Sequence, residues 1–223
     1  MILDRTPLEE IFSSSPWLVS MPTDRRRKLL QAAKLRHYRS GERVYSIGDA
    51  GDGLYGVVSG CVRFVNFPFD GCELVNAIFG QGAWFGALSL LDDGPRPHDV
   101  IAVSDTVLAK ISRPSWRALV RDTPELFSDL VQLSCKGIRH ALMEINMLMS
   151  GSSTARLAWQ LLHGRRDKEG HLDFRQEDLA DIVGVSRQSV NRLLRRFETD
   201  GLIARGYAKV KVLNPNGLAA LLN

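Results

Sequence analysis

With 223 residues, 44% of them hydrophobic and 24% charged, the chain has the composition of a soluble globular protein with room for one large domain or two small ones. Its formal net charge of +4 lies in the C-terminal part: from Gly151 onward there are 12 Lys and Arg against 8 Asp and Glu, while the first 150 residues hold 17 of each kind. No segment approaches the roughly 18 apolar residues of a membrane span, and Cys61, Cys72 and Cys135 form no CxxC pair, which argues against a disulfide framework and against a zinc site.

The opening MILDRTPLEEIF carries acids where a signal peptide needs an apolar run, so a cytoplasmic location with no membrane partner is expected. Residues Leu8 to Leu35 are expected to be helical. Leu8, Ile11 and Phe12 form one short stripe and Leu29, Leu30 and Ala33 another, separated by Pro16 and Pro22. The basic quartet Arg25, Arg26, Arg27 and Lys28 reads as a solvated helix start rather than a nucleic-acid contact, because acids are common nearby.

From Gly41 to Ile111 the texture changes to short β-type runs broken by Gly and Asp: RVYSIG, LYGVVSG, CVRFVNF, ELVNAIFG, DVIAVS and TVLAKI. Short strands at this spacing predict an antiparallel sandwich or jelly roll.

Pro124 and Glu125 begin a long helix that runs to about Met149. In it Phe127, Val131, Ser134, Ile138, Ala141, Ile145 and Leu148 alternate four and three apart, the a/d seam of a coiled coil, and Cys135, Leu142 and Met149 widen it. This predicts a homodimer held by the helix. Gly151-Ser152-Ser153 is the expected hinge, and Thr154 to Leu162 the first helix of a C-terminal domain. The expected divisions are residues 1–123 for the β-rich domain with its N-terminal helices, 124–150 for the dimerisation helix and 151–223 for a basic C-terminal domain.

Asp173 to Gly201 reads as a helix-turn-helix. Gln176 to Val183 presents Leu179, Ile182 and Val183 on one stripe before Gly184 and Val185 turn the chain, and Ser186 is placed to cap a second helix. At about 100° per residue from Arg187, the apolar Val190, Leu193, Leu194 and Phe197 fall between roughly 240° and 340°. Arg187, Gln188, Asn191, Arg192 and Arg195 fall between roughly 0° and 140°. Arginine matches O6 and N7 of guanine, and Gln or Asn matches N6 and N7 of adenine, so Arg187, Gln188, Asn191 and Arg192 are the expected base readers. Ser186 and Arg195 are expected on phosphates. Beyond Gly201, Val210 and Val212 alternate with Lys209 and Lys211 in a strand pair turning at Gly206-Tyr207; this is the expected wing, with both lysines in reach of phosphates.

The segment Ile182 to Ile203, IVGVSRQSVNRLLRRFETDGLI, resembles the cyclic-AMP receptor protein (CRP/FNR) superfamily of bacterial transcription regulators. In that family Ser-Arg-Glu-Thr-Val-x-Arg opens the recognition helix; the matching base-reading positions here are Arg187, Gln188 and Arg192, with Gln188 in place of the common Glu. The resemblance returns independently in Gly41-Glu42, Ile47-Gly48-Asp49, Leu54 through Gly60 and Gly80-x-Gly82-x-Trp84-Phe85-Gly86, which look like the cyclic-nucleotide-binding β-roll. It implies an α+β fold: an antiparallel β-roll, a long dimerisation helix and a C-terminal winged helix-turn-helix. It also implies double-stranded DNA and RNA polymerase as partners.

In cyclic-AMP-binding relatives a glutamate after the Gly86 position meets the ribose 2′-hydroxyl, and an Arg-Ser or Arg-Thr pair holds the cyclic phosphate. This chain has Ala87 at the glutamate and Pro97 and His98 at the pair, which argues against cyclic AMP; Arg96, one residue away, substitutes only if the loop shifts. Gly86, Ala87, Leu88, Arg96 and His98 make up the expected effector pocket. Relatives that carry an iron–sulfur cluster have an N-terminal cysteine group, and no cysteine precedes Cys61, which argues against that cofactor. His37, His98, His140, His163 and His171 show no ligand spacing, so no metal site is expected, although some relatives bind haem and His98 in the effector loop leaves that cofactor open. No P-loop, GxSxG or HExxH motif is present, so no catalytic residue is expected and the chain does not read as an enzyme. The leading reading is a signal-controlled regulator, with the signal sensed in the β-roll; the alternatives are a ligand-independent DNA-binding dimer and, without a catalytic motif to support it, a nucleotide-regulated enzyme.

Overall fold

The computed structural model describes residues 8–67, 73–164, 170–173, 176–206 and 209–222, without the side chains of Leu148, Ser150, Asp173 and Gln176. Cys72 and Tyr207 lie outside the described residues.

Prolines break the N-terminal helical stretch into three pieces: α1 (Leu8–Ile11), α2 (Pro16–Val19), with Pro16 at its first position, and α3 (Thr23–Gln31), which Pro22 precedes. The expected helix to Leu35 ends early. Lys34 and Leu35 instead open β1 (Lys34–Tyr38), an edge strand pairing antiparallel with β8 (Thr106–Ser112).

The remaining strands of the roll are β2 (Arg43–Tyr45), β3 (Gly53–Ser59), β4 (Cys61–Asn66), β5 (Leu74–Gly80), β6 (Trp84–Phe85) and β7 (Asp99–Ala102), with α4 (Leu88–Leu91) between β6 and β7. They form two four-stranded sheets, in the orders β1-β8-β3-β6 and β2-β7-β4-β5. Alternation along β3 assigns its two faces. Leu54 and Val58 point to a core shared with Phe12, Trp17, Leu29, Leu30 and Trp84 from the N-terminal helices and β6. Tyr55 and Val57 point to a second core with Tyr45, Val62, Phe85, Val100 and Leu108. All six strand runs legible in the sequence become strands.

The helix α5 (Arg113–Asp122) starts at a Ser112 cap, whose hydroxyl accepts from the Ser115 amide, and has proline at its second position. It leads into α6 (Glu125–Ser150), the expected long helix. Leu126 and Leu130 are fully buried against the first core, whereas Phe127, Val131, Ile138 and Ile145 are 37–53% exposed and Ala141 is exposed. Two apolar faces on one helix explain the pattern: the inner one packs on the sheet, and the outer one is the seam read from the sequence. Arg25 grips the inner edge of α6. Its Nε lies 2.9 Å from Asp129 Oδ2 and its Nη2 donates to Oδ1 at 3.3 Å, while Trp17 Nε1 donates to the Asp129 carbonyl at 2.7 Å. Lys28 also donates to Thr123 Oγ1, so part of the basic quartet is a structural clamp and not only a solvated helix start.

The C-terminal elements are α7 (Ser153–His163), β9 (His171–Asp173), α8 (Gln176–Val183), α9 (Arg187–Thr199), β10 (Ile203–Gly206), β11 (Lys209–Val212) and α10 (Pro215–Ala219), ending in a short 3-10 turn, Ala220–Leu222. The chain divides into two compact units, Met1–Phe64 with Phe79–Ile138 and Val65–Ile78 with Arg139–Asn223, so α6 begins in the first and ends in the second. In the second unit Ile78 packs against the core formed by α7, α8, α9 and the C-terminal sheet.

Candidate nucleic-acid interface

The helix-turn-helix is built on a small apolar core. Leu157, Ala158 and Leu161 of α7, Leu179, Ala180 and Val183 of α8, and Val190, Leu194 and Phe197 of α9 are all buried together. Gly184 makes the turn at φ +69°, a conformation costly for other residues, and the Val185 amide closes it on the Ala180 carbonyl at 3.0 Å. Ser186 then caps α9, its hydroxyl accepting from the Ser189 amide at 3.2 Å. That hydroxyl, expected on a phosphate, is thus engaged in capping and also lies 3.0 Å from Ser189 Oγ. Gly151 and Ser152 separate α6 from α7, with Ser153 already helical. Arg156 spans this break: its Nη1 donates to the Gly151 carbonyl at 3.0 Å and its Nε to the Val183 carbonyl at the end of α8 at 2.7 Å.

With the apolar side of α9 buried, the polar face is left outside. Arg187, Gln188, Arg192 and Arg195 are exposed and Asn191 is half-buried, so the structure brings the expected base readers and Arg195 together on one surface. One acid intrudes on it. Glu177, in the first turn of α8, accepts from Arg187 Nη1 at 2.9 Å; nothing in its spacing identified it, because the contact exists only once the two helices cross.

The wing forms where expected, with β10 and β11 antiparallel and Gly206 opposite Lys209. Lys211 is exposed and Lys209 half-buried. A third strand, β9, adds to the far edge of β11 and places His171 opposite Lys211. Glu198, near the end of α9, accepts from Arg205 Nε at 2.8 Å and ties α9 to β10.

The expected effector residues divide. Gly86 has φ +89°, and a Cβ there would come within 2.8 Å of Arg96 Nη1, so only glycine fits beneath that guanidinium. Ala87 is buried at the start of α4, and Leu88 is 47% exposed. Arg96 turns into the interior beneath the loop and not outward. Its side chain is fully buried; Nη1 donates to the Gly86 carbonyl at 2.9 Å and Nη2 to the Gly53 carbonyl at 2.7 Å and to Asp52 Oδ1 at 2.8 Å. The guanidinium also lies 4.3 Å from the Tyr45 ring centroid. Asp52 binds Lys110 and Tyr55 as well. Burial would raise its pKa, but hydrogen bonds from Lys110, Arg96 and Tyr55 outweigh it and hold the carboxyl at about 2.

His98 stacks on Phe64 with centroids 4.0 Å apart, and Phe79 and Phe85 continue the cluster around Phe64 at 4.5 and 5.5 Å. Burial, assisted by the positive charge of Arg96, lowers its pKa to about 4, so the imidazole is neutral near pH 7. A cyclic phosphate needs a cationic partner, and neither Pro97 nor a neutral His98 supplies one, while Arg96 is committed to its own carboxylate and carbonyls. The residues present do not fit cyclic AMP as its relatives hold it. Among the described residues no cluster of His, Cys, Asp and Glu is placed to hold a metal ion, and no helix is long and apolar enough to cross a membrane.

Residues 35–123 match the cyclic nucleotide-binding domain family and residues 155–221 the Crp-like helix-turn-helix domain family. The cyclic AMP receptor protein of Thermus thermophilus is 35% identical over 178 residues, which cover 79% of this chain and 82% of that protein. The chain belongs to the CRP/FNR family. Another relative, the CRP-like cAMP-activated global transcriptional regulator of Mycobacterium tuberculosis, is 30% identical over 171 residues, 73% of this chain and 76% of its own. Among solved structures, FixK2 from Bradyrhizobium japonicum superposes with a TM-score of 0.76 at 25% identity, covering 85% of this chain and 96% of that one. As a CRP/FNR member the chain is a DNA-binding transcription regulator.

Proposed function

We propose that this regulator works as a homodimer reading a palindromic operator, with α6 paired to its twin and one α9 in each of two successive major grooves. The observation that carries this is the exposed apolar stripe of Phe127, Val131, Ile138, Ala141 and Ile145 on a helix whose other side is buried. The seam position Leu148 has its side chain outside the described residues. Arg187, Gln188, Asn191 and Arg192 read bases, while Ser186, Arg195, Lys209 and Lys211 hold phosphates. The protein acts in the cytoplasm and meets RNA polymerase at the promoter. Its role lies in binding, not in catalysis.

The β-roll biases DNA binding through α6 by a signal that does not present a cyclic phosphate to the Gly86–His98 loop. A second reading, a ligand-independent dimer, is supported by the same observation that argues against cyclic AMP: Arg96 already satisfies the interior of that loop. Selection from randomised duplexes, followed by sedimentation of the complex, tests the main reading. Two chains on a palindrome with half-site centres about one helical turn apart, roughly 34 to 36 Å, are expected. One chain on a single asymmetric site contradicts it.

A further inference from the structure

We propose that Glu177 is a positioning residue that sets the specificity of this helix-turn-helix by competing with DNA phosphates for Arg187. The inference rests on Arg187 reading a base. Arg187 Nη1 is 2.9 Å from Glu177 Oε1, and the two side chains are 61% and 59% exposed. An ion pair so open to water adds little to folding stability. What it changes is the surface offered to DNA.

A bare guanidinium on the recognition face attracts any phosphate, and attraction to phosphates supplies nearly all non-specific binding. Paired with Glu177, Arg187 presents a neutralised group and a carboxylate that repels phosphate. A guanidinium has five N–H donors in one plane, so bracing Nη1 from the side leaves donors for guanine O6 and N7. The brace also fixes the plane of the guanidinium before DNA arrives, which lowers the ordering cost of the base contact. Non-operator DNA therefore meets the repulsion without the compensating base contact, and the operator meets both. Discrimination by an uncompensated charge against the wrong partner follows. Arg192 and Arg195 have no carboxylate partner among the described residues and retain their attraction for phosphate, so the effect is confined to the position of Arg187.

The test measures dissociation constants by fluorescence anisotropy, over a series of salt concentrations, for a duplex selected by the wild-type protein and a scrambled duplex of equal length and composition. Glu177→Gln keeps the size and an acceptor oxygen but removes the charge. It is expected to tighten scrambled DNA about tenfold, to tighten the selected duplex by less than about threefold, and to steepen the salt slope on scrambled DNA by about one unit. Glu177→Asp should retain most of the wild-type ratio. In an Arg187→Ala background, Glu177→Gln should leave the ratio between the duplexes unchanged. A ratio unaltered by Glu177→Gln in the wild-type background, or altered equally in both backgrounds, overturns the inference and leaves the DNA-reading helix standing. A wild-type protein with no preference for any selected duplex overturns the base-reading role itself, and this inference with it.

Discussion

Arg96 Nη2 donates to Asp52 Oδ1 at 2.8 Å from a side chain with no exposure to solvent, and it also donates to the Gly53 carbonyl at 2.7 Å. Swinging this guanidinium toward a ligand would leave the buried Gly53 carbonyl and the part-buried Gly86 carbonyl without it and would strip Asp52 of a partner. Cyclic AMP should therefore neither bind tightly nor alter operator affinity. Titration calorimetry is expected to give no dissociation constant in the micromolar range or below; tight binding together with stronger operator affinity would show that the loop rearranges.

His98 gives the β-roll a pH dependence. Its pKa falls from 6.5 to about 4 on folding because burial disfavours the imidazolium, with Arg96 adding to the effect and Asp99 opposing it. The unfolded chain then binds the proton that the folded chain refuses. The stabilising effect is complete above about pH 6.5 and is lost as pH falls toward 4, with a slope of at most about 1.4 kcal/mol per pH unit. Denaturant titrations at pH 7, 6, 5 and 4.5 should show this loss, and His98→Asn should flatten it in that window. Asp52, whose folded pKa of about 2 lies below its ordinary 3.8, contributes a second loss only at lower pH. An unchanged pH profile in His98→Asn contradicts the assignment.

Ile138 is 53% exposed at the centre of the outer face of α6. In a dimer Ile138→Asp would bury an unpaired carboxylate twice across the two-fold axis. Sedimentation should show a monomer with lost operator binding, while the thermal unfolding of the β-roll changes little. An intact dimer would exclude this face as the interface.

The residues that were legible in the sequence are those whose neighbours are close in the chain. Val190, Leu194 and Phe197 declare the buried side of α9 by spacing alone, and Leu54 through Ser59 declare a strand. Lys34–Tyr38 does not, since Lys, Arg and His dominate it and only pairing with β8 makes it a strand. The three residues of β9 likewise gain their identity from β11. Arg96 and Glu177 were opaque for a related reason. Their roles depend on Asp52, 44 positions away, and on Arg187, which comes into reach only when the helices cross.

Arg195 is exposed about two helical turns C-terminal to Arg187 on α9, and a phosphate contact rather than a base contact is proposed for it. Arg195→Ala should weaken all duplexes about equally and make the salt dependence shallower by about one unit. Loss confined to one base position would move Arg195 into the groove.

Gln188 decides whether the exposed face of α9 reads bases in the assigned register. Glutamine both donates and accepts and suits adenine, whereas glutamate accepts from cytosine N4. Binding-site selection on randomised DNA, run side by side on the wild-type protein and Gln188→Glu, measures this directly. The account predicts guanines opposite Arg187 and Arg192 in both selections, a relaxed or adenine-bearing position under Gln188, and cytosine at that position alone in the variant. Identical base preferences in the two selections would contradict it, because Gln188 would then not be reading a base.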